Sequence, residues 1–272
     1  MAFGGLLASS VQAETRRPKT YHKPIEIQEQ WRSYDPGRIN FRIDSPDTEG
    51  AKIYRCIISN PEQYIADNAR RVIQTLYFSP SDSIPALKDI DYVVRPFDGV
   101  SYKSGAVPRV RIDYSTDWIE KSFAGNDTLH LDYETRGVIY HELTHAFQLE
   151  PQGCGKYDGK SVFWSFIEGL ADAVRVANGC FEQDFNSPDR PRGGSWMSGY
   201  RTTGYFLYWL QQNKDKDFIR KFNRTALTVA PWSWDEAMYA VLGREKGNSV
   251  AELWEEYQKA IGDTSAESEQ HK

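Results

Sequence analysis

The chain has 272 residues, 40% of them hydrophobic and 26% charged, with a formal net charge of −5. That length buries a sizeable core without crosslinks, and the acidic balance argues against nucleic acid, whose phosphates need a basic face. No apolar run approaches the roughly 18 residues that span a bilayer, so no membrane partner is expected.

Residues 1–13 are apolar and small, and Val11-Gln12-Ala13 fits the small-x-small cleavage rule before the polar Glu14-Thr15-Arg16-Arg17. This reads as a signal-peptide remnant and predicts a secreted protein. Residues 14–38, polar and punctuated by Pro18, Pro24 and Pro36, read as an extended N-terminal arm. A mixed α/β lobe is expected over 39–150. Ile39 to Asp44, Ile90 to Arg95 and Arg109 to Tyr114 read as strands, the first and third from their alternation. Phe97 to Val100 reads as a turn, and Pro61 to about Phe78 as a helix with Ile65, Ala69, Val72, Ile73 and Leu76 on one face. Thr135 to about Leu149 is the next helix. A helical lobe over 151–261 follows, with helices at Phe163 to Asn178 and Trp196 to Gln212, and 262–272 reads as a flexible tail. The order predicts an α+β fold with a cleft between the lobes.

Cys154 and Cys180 flank the segment that holds the candidate third metal ligand, and a disulfide there would clip a loop of the active site in an oxidising compartment. Cys56 stands in an apolar stretch and reads as a buried free thiol. Two glycosylation sequons, at Asn126 and Asn223, agree with secretion.

The chemistry concentrates in His141-Glu142-Leu143-Thr144-His145. Four residues apart on a helix, the two imidazoles share a face and can bind one Zn²⁺, while Glu142 sits beside the metal as a general base. Catalytic zinc needs a third protein ligand. Downstream, Glu168 and Asp172 are again one turn apart among Phe166, Ile167, Leu170 and Ala171. One of them can bind zinc while the other fixes the outer ring nitrogen of a ligand, most plausibly His141. The longer reach of Glu168 favours it as the metal ligand, with Asp172 behind His141; the exchanged assignment stays open. Gly169 and Ala171 are small enough to let two helices approach closely.

With these residues in hand, the chain resembles the gluzincin, or thermolysin-like, zinc metallopeptidases, and more narrowly the basic secretory protein family of plant and bacterial peptidases. The resemblance rests on Phe97-Asp98-Gly99-Val100-Ser101-Tyr102-Lys103-Ser104-Gly105, Gly137 to Gln148, Ile167-Glu168-Gly169-Leu170-Ala171-Asp172 and Gly199 to Leu207, in order over roughly 38–260. It departs from that family's name in being acidic. It implies a zincin-like fold, in which a small mixed sheet carries an edge strand over the metal helix, and a peptide or protein substrate paired along that edge. Arg109 to Tyr114 is the candidate edge.

A peptidase also needs a donor for the developing oxyanion. Tyr200 is the first choice, although a packed aromatic explains it equally well, and His130 is the second, although a surface histidine is the simpler reading of it. A monomer is the simplest expectation. The competing functional reading is a secreted zincin-fold binding or effector protein, for defence or glycan recognition, with little proteolytic activity. The intact Glu142 argues against it, because a pure binder gains nothing from a general base.

Overall fold

The computed structural model describes residues 21–123, 127–185 and 190–263. The signal-like segment, the first part of the arm, Asn126 of the first sequon and the tail from 264 lie outside the described residues. After an extended run from residue 21, the elements are α1 (Glu29–Arg32), β1 (Arg38–Ile43), α2 (Glu49–Ile57), α3 (Pro61–Leu76), β2 (Asp89–Arg95), β3 (Ser101–Ala106), β4 (Arg109–Ser115), α4 (Thr116–Ser122), α5 (Thr128–Phe147), α6 (Val162–Ala177), α7 (Glu182–Phe185), α8 (Tyr200–Asn213), α9 (Phe218–Thr228), α10 (Trp234–Leu242) and α11 (Val250–Ala260). The fold is mixed α+β.

The three expected strands stand within a residue of their predicted bounds. Elements α1, α2, β3, α4 and α7 were not anticipated, and α8 starts at Tyr200 rather than Trp196. Gly199 sets that start: its φ of +67° cannot continue a helix, and a Cβ on it would stand 2.4 Å from the Trp164 indole.

The sheet order is β1-β2-β4-β3, with β1, β2 and β4 parallel and β3 antiparallel to β4. This corrects the edge assignment. Arg109–Ser115 is paired on both sides, and the free edge beside it belongs to β3, one strand further out. An alternating strand covered on one face reads the same whether it is internal or at an edge, so the sequence pattern could not separate the two.

The sheet has two unlike faces. Ile90, Tyr92, Val94, Val110, Ile112 and Tyr114 are buried under the helices. The opposite face is a lattice of ions. Arg38 and Arg109 donate to Asp89, while Arg95 and Arg111 donate to the fully buried carboxylate of Asp113. These guanidiniums hold both aspartates below the usual carboxylate range; at Asp113 they do so against the effect of burial.

Helix α5 is buried nearly all round, as a helix crossing the centre of a core must be. It is capped by Asp127, which accepts from the His130 N–H. The extended run crosses it and α3, with Arg136 and Arg71 donating to the His22 and Ile25 carbonyls. Helix α6 packs on α5 from one side and α8 packs on α6. Among the described residues, no helix is long and apolar enough to cross a membrane.

The cysteines do not match expectation. All three are free, and Cys56 is exposed rather than buried. Cys180 is buried with its sulfur against the Tyr133 carbonyl, whereas Cys154 faces the Pro151 carbonyl. They follow and precede opposite ends of the four-turn helix α6, whose length keeps them apart. Burial pushes the Cys180 thiol up to about 12, so it is an inert packing group. Asn223 of the second sequon is fully buried, accepting from Leu149 N–H and donating to the Leu76 carbonyl. A glycan has no access to it in this fold.

Candidate metal centre

Helices α5 and α6 run antiparallel where they touch. One turn forward along α5, from His141 to His145, matches one turn back along α6, from Asp172 to Glu168. His141 Nε2 and His145 Nε2 are 3.0 Å apart, and Glu168 Oε2 lies 3.2 Å from the first and 3.6 Å from the second. Ligands about 2.0–2.1 Å from a tetrahedral zinc stand roughly 3.3 Å from one another. The spacing of the three donor atoms is therefore compatible with zinc. They form a group able to hold a metal ion among the described residues.

The outer contacts set each ring. Asp172 Oδ1 is 2.8 Å from His141 Nδ1, so Nδ1 carries the proton and Nε2 keeps its lone pair for a cation. Gln148, one turn after His145, places its amide 3.0 Å from His145 Nδ1. With Oε1 turned toward that nitrogen, the amide accepts from Nδ1–H, and the otherwise unpaired buried Oε1 gains its partner. Both imidazoles then present bare Nε2 atoms to the same point. Glu168 Oε2 is a second buried atom without a hydrogen-bond partner, and it faces that point too, since both Nε2 atoms lie within 3.6 Å of it. Three lone-pair atoms left unsatisfied by protein and converging in a buried place are what a bound cation would satisfy.

Electrostatics agree with the geometry. Burial pulls the His141 ring down, but Asp172 and Glu168 outweigh it and raise the ring to about 10. Burial works to raise Glu168 as well, yet the two imidazoles hold it well below the usual carboxylate range. Asp172 is lowered, against burial, by His141 and Arg175. The site stabilises positive charge wherever it can find it.

A cleft of about 1050 Å³ opens over these atoms and is lined by His141, Glu142, His145 and Glu168 together with Ser101 and Lys103 of β3. Glu142 is buried in its floor. Tyr200 is half-exposed at its rim, and its ring stacks on His141 at 6.0 Å between centroids, tilted by 16°. Its φ of +41° is one of two positive values among the described non-glycine residues, the other being Phe181, and both residues line this cleft. Such backbone strain, on the order of 1–3 kcal/mol, collects where function holds it. His130 also lines the cleft, but it lies eleven residues before His141, about 16 Å along the helix, and packs on Tyr21. Tyr200 and His130, the two candidate donors, are thus separated by position: the first is against His141 of the His-His-Glu group and the second is not.

Sequence reasoning missed several groups here. Tyr157, in the α5–α6 loop, donates its hydroxyl to Glu168 Oε1, and nothing in its surroundings marks it. Gln148 stands at i+3 from His145, a spacing that could have been read. Arg175 stands at i+3 from Asp172 and donates to its Oδ1 at 3.3 Å.

The fold and the cluster define a mixed α+β protein with a His-His-Glu group in a cleft that could hold a metal ion. A family model described as BSP, peptidase of plants and bacteria, matches residues 37–257, and the chain belongs to that family. No curated protein and no solved structure matches it.

Proposed function

We propose that the chain is a secreted, zinc-dependent peptidase of zincin-like architecture. The observation that carries this reading is the convergence of His141 Nε2, His145 Nε2 and Glu168 Oε2 in one cleft with the buried carboxylate of Glu142. His141, His145 and Glu168 hold the zinc, and Asp172 and Gln148 orient the two rings. Zinc in this donor set supplies Lewis acidity, polarising a carbonyl oxygen and making water acidic near neutral pH. Glu142 takes the proton of the attacking water and hands it to the leaving amine. The Tyr200 phenol, already on His141, donates to the substrate carbonyl oxygen as it gains charge. The free edge of β3, which lends Ser101 and Lys103 to the cleft wall, offers backbone groups to an extended substrate. Secretion is supported by the segment ending at Val11-Gln12-Ala13.

The test is zinc content and cleavage of a mixed peptide library by wild type and Glu142→Gln. About one zinc per chain in both, with cleavage by wild type alone, is expected. Full cleavage by Glu142→Gln would sink the mechanism, and absence of zinc from both would sink the site.

A further inference from the structure

Three locally unfavourable features surround one guanidinium, that of Arg175, which the hydrolytic steps do not use. Phe181 adopts a φ of +62°, a conformation a bulky residue leaves unless it is held. Two tyrosines hold it: its N–H donates to the Tyr133 hydroxyl, and the Tyr205 hydroxyl donates to its carbonyl at 3.0 Å. Gly137 stands inside the buried helix α5, where alanine is the better helix former. Arg175 Nε is a buried donor that no acceptor meets among the described residues.

The three features meet at one place. Arg175 Cζ lies 4.1 Å from the centroid of the Phe181 ring. A Cβ on Gly137 would stand 3.1 Å from Arg175 Nε, 3.3 Å from its Nη2 and 3.2 Å from the Phe181 ring, so the glycine leaves both groups their room. With Nε and Nη2 against α5, Nη1 donates to Asp172 Oδ1 at 3.3 Å. The same oxygen is 2.8 Å from His141 Nδ1, and Gly137 is one turn before His141. Neutralising the buried Asp172 carboxylate needs only a nearby positive charge. A strained ring and a helix glycine add something else, a fixed position for one N–H.

We propose that Arg175, clamped by Phe181 and seated on Gly137, is a positioning residue for the metal centre. It fixes the Asp172 carboxylate, which fixes the His141 ring and with it the Nε2 lone pair. The proposal rests on the reading of His141, His145 and Glu168 as zinc ligands. Outer partners of a ligand histidine set its orientation, and a planar guanidinium gives a carboxylate a directional, charge-assisted bond. The sign of the effect separates positioning from charge. As a bare cation beside a cation site, Arg175 opposes zinc, and its removal tightens binding. As a positioning group it assists zinc, and its removal weakens binding.

Zinc affinity is measured by competition with a chelator on wild type, Arg175→Met, Arg175→Lys and Gly137→Ala. Arg175→Met is expected to bind zinc about tenfold or more weakly. Arg175→Lys keeps the charge without the planar group, and Gly137→Ala keeps the guanidinium but crowds it. Each is expected to lose at least about threefold, and these two carry the test if Arg175→Met does not fold. In the metal-free proteins, the His141 Nδ1 proton is followed by NMR on samples labelled with nitrogen-15 histidine. It is expected to exchange with solvent faster in the variants than in wild type. Unchanged or tighter zinc binding by Arg175→Met or Gly137→Ala, or full affinity in Arg175→Lys, overturns the clamp. If wild type binds no zinc, the metal reading falls and proton exchange alone decides: faster exchange in the variants supports the clamp, and equal exchange overturns it.

Discussion

The candidate metal centre depends on how closely α8 packs on α6, and Gly204→Ala tests that dependence. A Cβ at 204 would stand 2.7 Å from Asp172 Cβ and 3.0 Å from both Asp172 C and Ala173 N. Two of these are backbone atoms and the third is fixed to the backbone, so no rotamer change relieves the overlap and the helices must part. Overpacking of this kind costs about 1–3 kcal/mol. Alanine returns about 1 kcal/mol over glycine inside a helix, leaving a net loss of up to about 2 kcal/mol. The residue displaced is Asp172, whose carboxylate orients His141 from 2.8 Å. Loss of such a contact lowers metal affinity about 10–100-fold. Urea unfolding reads the first effect as a lower midpoint at unchanged slope, and zinc titration against a competing chelator reads the second. A Gly204→Ala protein as stable as wild type with unchanged zinc affinity would show that the close approach is not what positions Asp172.

Three further outcomes follow from the same geometry. His145→Ala removes one of three ligands, and zinc content is expected to drop to near zero by elemental analysis; unchanged stoichiometry would refute the ligand set. Tyr200→Phe keeps the ring on His141 but deletes the donor, so kcat should fall by about 100-fold or more with zinc content unchanged, and an unaltered kcat would reduce Tyr200 to packing. Asp113 is a carboxylate whose pKa is lowered in the folded state by Arg111 and Arg95 against burial. Its contribution is therefore complete above the ordinary aspartate value near 3.8 and is lost as pH falls below it toward the depressed folded value. Asp113→Asn should accordingly be less stable than wild type by about 1–3 kcal/mol at neutral pH, with the gap closing in acid; a gap independent of pH would refute the ion-pair account.

Much of the centre was legible because it is written in local spacing. The intervals 141–145 and 168–172 each mark one helical turn, so two pairs of side chains were fixed to two faces before any tertiary contact was known. Burial was legible as well: carboxylates set among Phe166, Ile167, Leu170 and Ala171 had to be satisfied by something. Glycine carried a shape signal whose partner helix the sequence did not name. The small residues of α6 do admit a close neighbour, but a Cβ on Gly169 would collide with Thr203 of α8, not with α5.

What stayed hidden depends on which segments meet across the chain. Strand β3, Ser-Tyr-Lys-Ser-Gly-Ala, has no apolar alternation because only its pairing with β4 makes it a strand. Cys154 and Cys180 look like partners in sequence and are held apart by the length of α6. Tyr157 and Phe181 stand in loops, where no period assigns a face, and the fold alone brings one to Glu168 and the other to two arginines. The sequence by itself therefore determined the ligand types and their helical phase, since a 3.6-residue repeat is a property of the local backbone. Only the tertiary structure decided the free edge and the phenols beside the His-His-Glu group, because these are set by packing between residues distant in the chain.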